Sequence, residues 1–128
     1  MAHDTNTVHD LHHPLILASR VTGTPVYDRS GTRLGHVDDV SIEKDSGRAI
    51  YAILAFGGIL GIGEKFHPVP WRMLDYDLDL QGFKVPLDPA SLKDAPSYDA
   101  RELRDLGGPD YRVHGETIYG YYGAVPYW

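Results

Sequence analysis

The sequence predicts a mainly β fold, an antiparallel meander or barrel with one short helix towards its C-terminal end, and three observations support it. The chain has 128 residues, 42% of them hydrophobic, which suits one domain with a small core. An uncharged run from Ala49 to Gly63 begins with β-branched and aromatic residues. The chain also repeats a strand, an acidic turn ending in glycine and another strand, with turns at residues 28–31 and 45–47. Strands joined in succession by tight turns are typical of antiparallel sheets.

The elements before the uncharged run are a helical turn at residues 20–22, a strand at 24–27 and a longer strand at 32–44. Within the longer strand, Val37 falls on the parity opposite to that of its apolar neighbours. A β-bulge near residues 38 and 39 would shift the face and restore the pattern. One aspartate is then expected to bond the backbone at the bulge, and Asp39 is the structural candidate.

The stretch from Arg48 to Trp71 predicts a long β-hairpin rather than a membrane helix, which would need about 20 apolar residues with few helix breakers. Residues 49–56 suit a strand that is buried on both faces. Residues 64–69 suit a second strand, and its prolines place it at a sheet edge or end it early because they lack backbone donors. Trp71 should be largely buried and structural. Four glycines that turn the chain are further structural candidates: Gly57, Gly58, Gly61 and Gly63.

After the long hairpin, the sequence predicts a helical turn at residues 72–74 and a last hairpin at 74–87. A short helix follows, because Asp88 can act as its N-cap and proline is favoured at its first position. Pro96 then ends this helix. The last hairpin carries alternating carboxylates that predict a solvated sheet edge protected by charge, rather than a cation site: Asp75, Asp77 and Asp79.

The chain divides into three parts: a polar, His-rich tail at residues 1–14, the β domain at 15–97 and an aromatic extension at 98–128. In the extension, two glycines and Pro126 argue against a regular helix that hides the aromatic side chains. These side chains are costly to leave in water, so we expect them to dock on their own barrel, on a neighbouring subunit or on a partner. A mobile tail is the alternative. The residues concerned are Tyr119, Tyr121, Tyr122, Tyr127 and Trp128.

A second candidate contact is the apolar tip of the long hairpin, formed by Ile59, Leu60 and Ile62. Apolar tips on a small barrel either fold back on the core or meet a partner, and the sequence leaves both open. A symmetric dimer needs only one such self-complementary patch. We therefore expect this tip to contribute to self-association.

The composition argues against several functional classes. A net charge of −6 disfavours direct nucleic-acid binding, and the absence of cysteine excludes disulfides, iron–sulfur clusters and thiol catalysis. No catalytic constellation is visible. Adjacent strand residues such as Asp38 and Asp39 point to opposite faces, an objection that a bulge would weaken, and a solvated face with one aspartate bonded to the backbone is favoured. His36 and His67 read as surface or structural histidines. With neither a signal peptide nor a membrane span visible, we expect a cytoplasmic protein that is not inserted in a membrane.

Candidate metal ligands lie in the N-terminal tail: His3, His9, His12 and His13. Imidazole and carboxylate suit zinc or nickel. No second ligand cluster has a fixed spacing, however, so a disordered polar terminus is favoured. We expect neither a bound metal nor a cofactor.

Several motifs, in their order and spacing, resemble the PRC-barrel family. They read GTPVY at residues 23–27, LGHVDDV at 34–40, DSGR at 45–48, FGGILGIGEK at 56–65 and VPW at 69–71, and LKDAP at 92–96 is similar to the family's closing helix. The resemblance covers about residues 15–97 and implies a small, partly open β-barrel. The family includes the cytoplasmic domain of the photosynthetic reaction-centre H subunit, the C-terminal domain of the ribosome-maturation factor RimM, and stand-alone bacterial proteins. This chain lacks the membrane helix of the first and the preceding domain of the second, so it is similar to the stand-alone members.

The resemblance implies a non-catalytic protein–protein interaction or assembly module, because no catalytic residues carry over from the family. We expect it to self-associate, as a homodimer, and to bind an unknown protein partner. One alternative is an adaptor of a photosynthetic membrane complex or of the ribosome-assembly machinery. Another is a small-molecule or metal sensor that uses the barrel mouth or the histidine tail.

Overall fold

The acidic and glycine-containing turns divide the chain into short strands joined by tight connections. A computed structural model describes residues 14–56 and 65–126. The strands in this part of the chain are β1 (Pro25–Tyr27), β2 (Arg33–Ile42), β3 (Ala49–Ala55), β4 (Phe66–Pro70), β5 (Asp75–Asp77) and β6 (Gly82–Lys84). The helices are α1 (Ala18–Val21), a 3-10 turn (Trp71–Met73), α2 (Pro89–Lys93), α3 (Ala100–Asp105) and α4 (Tyr111–Tyr122).

The strands form one open sheet in the order β4-β3-β2-β1-β6-β5. Neighbouring strands are antiparallel except β1 and β6, which are parallel. The predicted fold class is therefore confirmed: the molecule is mainly sheet, it is consistent with a partly open barrel, and a short helix follows the last strand. Strand β4 is terminal and ends at Pro70, as its prolines predict.

The predicted β-bulge is present in β2. Val37 pairs with Leu54 and Asp39 pairs with Ile53, so Asp38 is the extra residue. The Asp39 carboxylate accepts a hydrogen bond of 2.8 Å from its neighbour, the backbone N–H of Val40, as predicted for one aspartate at this bulge. A second irregularity on β3 leaves Ile50 unpaired between two registered neighbours. Consequently, Ile50 and Tyr51 belong to the same apolar cluster although they are adjacent in sequence.

Strand β3 is buried on both faces, as its uncharged sequence predicts. One face lies in the inner cluster, which includes Val26, Leu34, Val37, Ala52, Leu54, Val69, Phe83, Val85 and Leu92. The other face lies in the outer cluster, formed by Ile50, Tyr51, Ile53, Leu106, Ile118 and Tyr119. The C-terminal helices therefore supply the second layer that covers β3.

One sequence-based expectation about the aromatic extension is wrong. The extension does form a regular helix, α4, because the burial of Ile118 and Tyr119 outweighs the low helix propensity of glycine. Gly123 ends α4 as a left-handed C-cap with φ 68°. Trp71 is partly buried: it starts a 3-10 turn at the sheet edge, packs against the inner cluster and meets Phe83 edge-on with ring centroids 5.8 Å apart.

The short helices carry the predicted capping chemistry. The Asp88 carboxylate accepts a hydrogen bond of 2.8 Å from the Ser91 N–H, and Pro89 occupies the first turn of α2. Asp99 caps α3 in the same way, through the Glu102 N–H at 2.8 Å. These caps fix α2 and α3, which connect the sheet to α4.

Candidate interaction surface

Many of the residues selected from the sequence lie outside the described residues. They are the apolar tip Ile59, Leu60 and Ile62, the glycines Gly57, Gly58, Gly61 and Gly63, the terminal Tyr127 and Trp128, and the tail histidines His3, His9, His12 and His13. The structure does describe the tyrosines of α4 and the strands of the sheet. These are the parts from which a candidate surface is built below.

Tyr119 packs against the protein's own sheet and forms a hydrogen bond with it. Its hydroxyl donates a hydrogen bond of 3.0 Å to the Ile50 carbonyl, and its ring meets Tyr51 edge-on with centroids 5.8 Å apart. The Tyr122 ring is largely buried, and burial raises the pKa of its phenol far above the usual range. Docking on its own sheet, one of the three expected outcomes for the extension, is thus the arrangement in this structure.

Tyr121 is the described tyrosine of the candidate set that faces solvent, with 42% of its surface exposed. Its hydroxyl donates to the Ser91 carbonyl in α2, and its ring lies edge-on to that of Tyr122. Tyr121 therefore connects α4 to α2 while part of its surface stays exposed.

The extension also contacts the sheet at two other places, the start of β4 and the β2–β3 turn. Phe66 and Tyr98 exchange two backbone hydrogen bonds of 2.9 Å, which places a bridge along the outer edge of β4. At the opposite end, the Tyr111 hydroxyl donates to the Glu43 carboxylate in the β2–β3 turn. The outer face of β3 and the edge of β4 are consequently occupied within the molecule.

A cleft of about 720 Å³ opens between the β2–β3 turn and the loop that precedes α4. Its wall includes the apolar side chains of Ile50 and Leu106, and charged side chains such as Glu43 and Arg112 also line it. Sequence reasoning missed this cleft because its two walls are about 60 positions apart in the chain and neither carries a motif. Its mixed lining suits a small molecule with apolar and polar parts.

The edge of β5 is exposed and carries Asp75 and Asp77, as predicted, whereas Asp79 lies in the turn after the strand. Tyr76 and Leu78 are 41% and 47% exposed, which is unusual for an edge that only carries charge. The Tyr76 ring packs edge-on against Phe83, at 5.3 Å, and Phe83 in turn contacts Trp71. We call these three aromatic residues, together with β5, the β5 edge surface.

His67 lies in a buried, structural position, which is one of the two interpretations, surface or structural, given above for the strand histidines. Its side chain is buried beside Phe56, with ring centroids 5.1 Å apart. Within residues 14–56 and 65–126, no group of three or more His, Asp or Glu residues could hold a metal ion. No helix in that part of the chain is long and apolar enough to span a bilayer.

Comparison with known proteins identifies one family. A family model for the PRC-barrel domain matches residues 13–92, which confirms the resemblance drawn from the sequence motifs. The matched range contains all the described strands, whereas α3 and α4 lie beyond it. Among curated proteins, none is significantly similar to the chain.

Proposed function

Because the chain belongs to the PRC-barrel family, we propose that it is a non-catalytic protein–protein interaction or assembly module that forms homodimers. The observation that carries the role of interaction module is the exposed aromatic and aliphatic surface at one edge of an open sheet, at Tyr76 and Leu78. Exposed apolar groups beside an open sheet edge are typical of surfaces that meet another protein. The apolar tip at residues 59–62 is the proposed self-association contact.

Sedimentation velocity tests the self-association. The double variant Leu60→Asp/Ile62→Asp places unpaired charge in the proposed contact and should be monomeric at concentrations where the natural chain is dimeric. The matched control is Val113→Asp/Val125→Asp, which adds the same charge at two exposed apolar positions outside residues 59–62. A natural chain that sediments as a monomer, or a dimer that survives the tip variant, would contradict this part of the proposal.

The cleft beside α4 favours small-molecule binding as a second candidate function. Its volume of about 720 Å³ falls within the range typical of ligand pockets. A thermal-shift screen with small amphipathic compounds tests it. Ile42→Trp, at an exposed apolar residue of the cleft wall, should narrow the cleft and weaken any shift. A shift that persists undiminished in this variant would place the ligand elsewhere.

A further inference from the structure

The two terminal strands of the sheet differ in their availability to a partner. Strand β4 contains Pro68 and Pro70, which have no N–H group to donate, and its Phe66 is already bridged to Tyr98. Strand β5 pairs with β6 alone in the described part of the chain. Its outer main-chain groups therefore form the sheet edge at which another strand can be added.

The β5 edge surface provides an apolar contact on one face. Tyr76 is opposite Phe83 in the β5–β6 register, and their rings meet edge-on at 80°. Phe83 is buried and contacts Trp71, so the partly exposed Tyr76 ring rests on a fixed aromatic support. A side chain of an added strand that is opposite Tyr76 would pack against this ring.

The other face of β5 is acidic. Asp75 and Asp77 alternate with Tyr76 and so point away from it. The Asp77 carboxylate is shared between Lys84, at 3.4 Å, and the Leu80 N–H, at 2.9 Å. Asp75 is exposed and lies opposite Lys84 in the β5–β6 register, but the Lys84 ammonium forms its ion pair with Asp77. The face thus has more negative than positive charge.

This charge discriminates between possible occupants of the edge. If β5 paired antiparallel with β5 of a second copy about Tyr76, Asp75 of one copy would be opposite Asp77 of the other. Like charges that are directly opposite destabilise a pair of strands. A segment with cationic side chains at those two positions would instead gain opposite-charge pairs.

We propose that the β5 edge surface is a strand-addition site for an extended segment of a partner protein in which two Lys or Arg residues flank one apolar residue. The apolar residue packs on Tyr76, the cations face Asp75 and Asp77, and the main chain continues the sheet. This inference rests on the proposed function as an interaction module and names the partner class for this edge. The partner at this edge is not a second copy of the chain.

The test uses the full chain and a fluorescently labelled capped peptide, Ser-Lys-Val-Arg-Ser, with binding measured by anisotropy. Asp75→Asn should weaken binding by at least about fivefold, since it removes one attractive pair without placing a second cation opposite Lys84 in the β5–β6 register. Asp94→Asn makes the same charge change at an exposed position outside the β5 edge surface and should leave binding within about twofold. A peptide in which Glu replaces Lys and Arg should not bind.

N-methylated peptides separate strand addition from simple charge attraction. In an added strand, only alternate amides donate to the sheet edge. Methylation of the Val amide and methylation of the neighbouring Arg amide should therefore have unequal effects, with one modified peptide losing binding and the other keeping it. Equal effects of the two methylated peptides, equal effects of the variants Asp75→Asn and Asp94→Asn, or no binding by the parent peptide would overturn the proposal.

The outcome is independent of the self-association test. A chain that stays monomeric yet binds the peptide would contradict the dimer and support the β5 site. A dimer that does not bind the peptide would contradict the β5 site without contradicting the proposed assembly function.

Discussion

A buried histidine makes the stability of this fold depend on its charge state. His67 is 1% exposed, and neither ring nitrogen meets hydrogen-bond geometry with any described group. Burial lowers the pKa of His67 below its usual 6.5, and the positive charge of Lys65 lowers it slightly further. The nearby Pro96 carbonyl acts in the opposite direction, but its effect is smaller than that of burial.

The lowered pKa of His67 predicts a loss of stability in mild acid. The unfolded chain binds a proton at this residue with a pKa near 6.5, whereas the folded chain binds it only at lower pH. The contribution of neutral His67 is therefore complete above about pH 6.5 and declines as the pH falls towards the folded-state pKa. The slope attributable to one proton reaches at most about 1.4 kcal/mol per pH unit. Urea unfolding at several pH values, from about pH 7.5 to about pH 5, measures this loss of stability.

His67→Phe removes the titrating group and keeps an aromatic ring of similar size, so the pH slope below neutrality should flatten. Phe56→Leu is the matched control, because it removes the ring contact but leaves the histidine in place. It should lower stability at every pH by about 1 kcal/mol and retain the slope. An unchanged slope in His67→Phe would assign the acid sensitivity to another group.

Individual residues differed in how far the sequence could predict them. The bulge at Asp39 was visible because a change of parity is a property of the local sequence. The burial of His67 was not, since it depends on Phe56 and on the segment at Pro96, and neither is its neighbour in sequence. At the β5 edge surface, the acidic residues were predicted from the sequence, whereas the exposure of Tyr76 was not.

At the scale of elements, α4 offers a comparison between two glycines near its end. Gly120 lies inside the helix, with no heavy atom within 4 Å of the position that a Cβ would take. Gly120→Ala should therefore raise the free energy of unfolding by about 0.5–1 kcal/mol, through the lower entropy of the unfolded chain. Gly123 has equal space but a φ of +68°, so Gly123→Ala should be destabilising by about 1 kcal/mol.

Urea denaturation of the two glycine variants provides the measurement. Opposite signs of the two changes would agree with the observed end of α4. If both variants were destabilised alike, Gly120 would have a conformation or a contact that differs from the one described.

The same helix shows why sequence reasoning succeeded with the strands and failed with the extension. The strands are indicated by their apolar residue patterns and by the acidic, glycine-containing turns between them, and both are local signals. Helix α4 has an irregular sequence with two internal glycines, and its apolar residues are few. It is held by contacts with β3 and with Phe66 on β4, which are distant in sequence, so local propensity could not reveal it.

For the whole molecule, the second layer should be essential to stability. A chain truncated after Asp110 loses α4 and exposes the outer face of β3. The loss of the buried Ile118 and Tyr119 alone should cost about 3–5 kcal/mol. Truncation after Gly123 keeps α4 and should have a small effect. Urea midpoints measure both effects, and binding of the dye ANS should increase only in the shorter chain. Equal midpoints would mean that α4 contributes little to the fold.

The parallel pairing of β1 with β6 has a consequence for the order in which the chain folds. It joins Val26 to Phe83, which is 57 positions later, whereas the β2–β3 hairpin joins Val37 to Leu54, 17 positions later. Closing the longer loop costs only about 1 kcal/mol more in chain entropy. On the ribosome, however, β1 emerges well before its partner has been synthesised. Until β6 follows, β1 has only β2 as a neighbour and Val26 lacks Phe83 beside it, so the nascent chain passes through a stage with an unpaired strand edge.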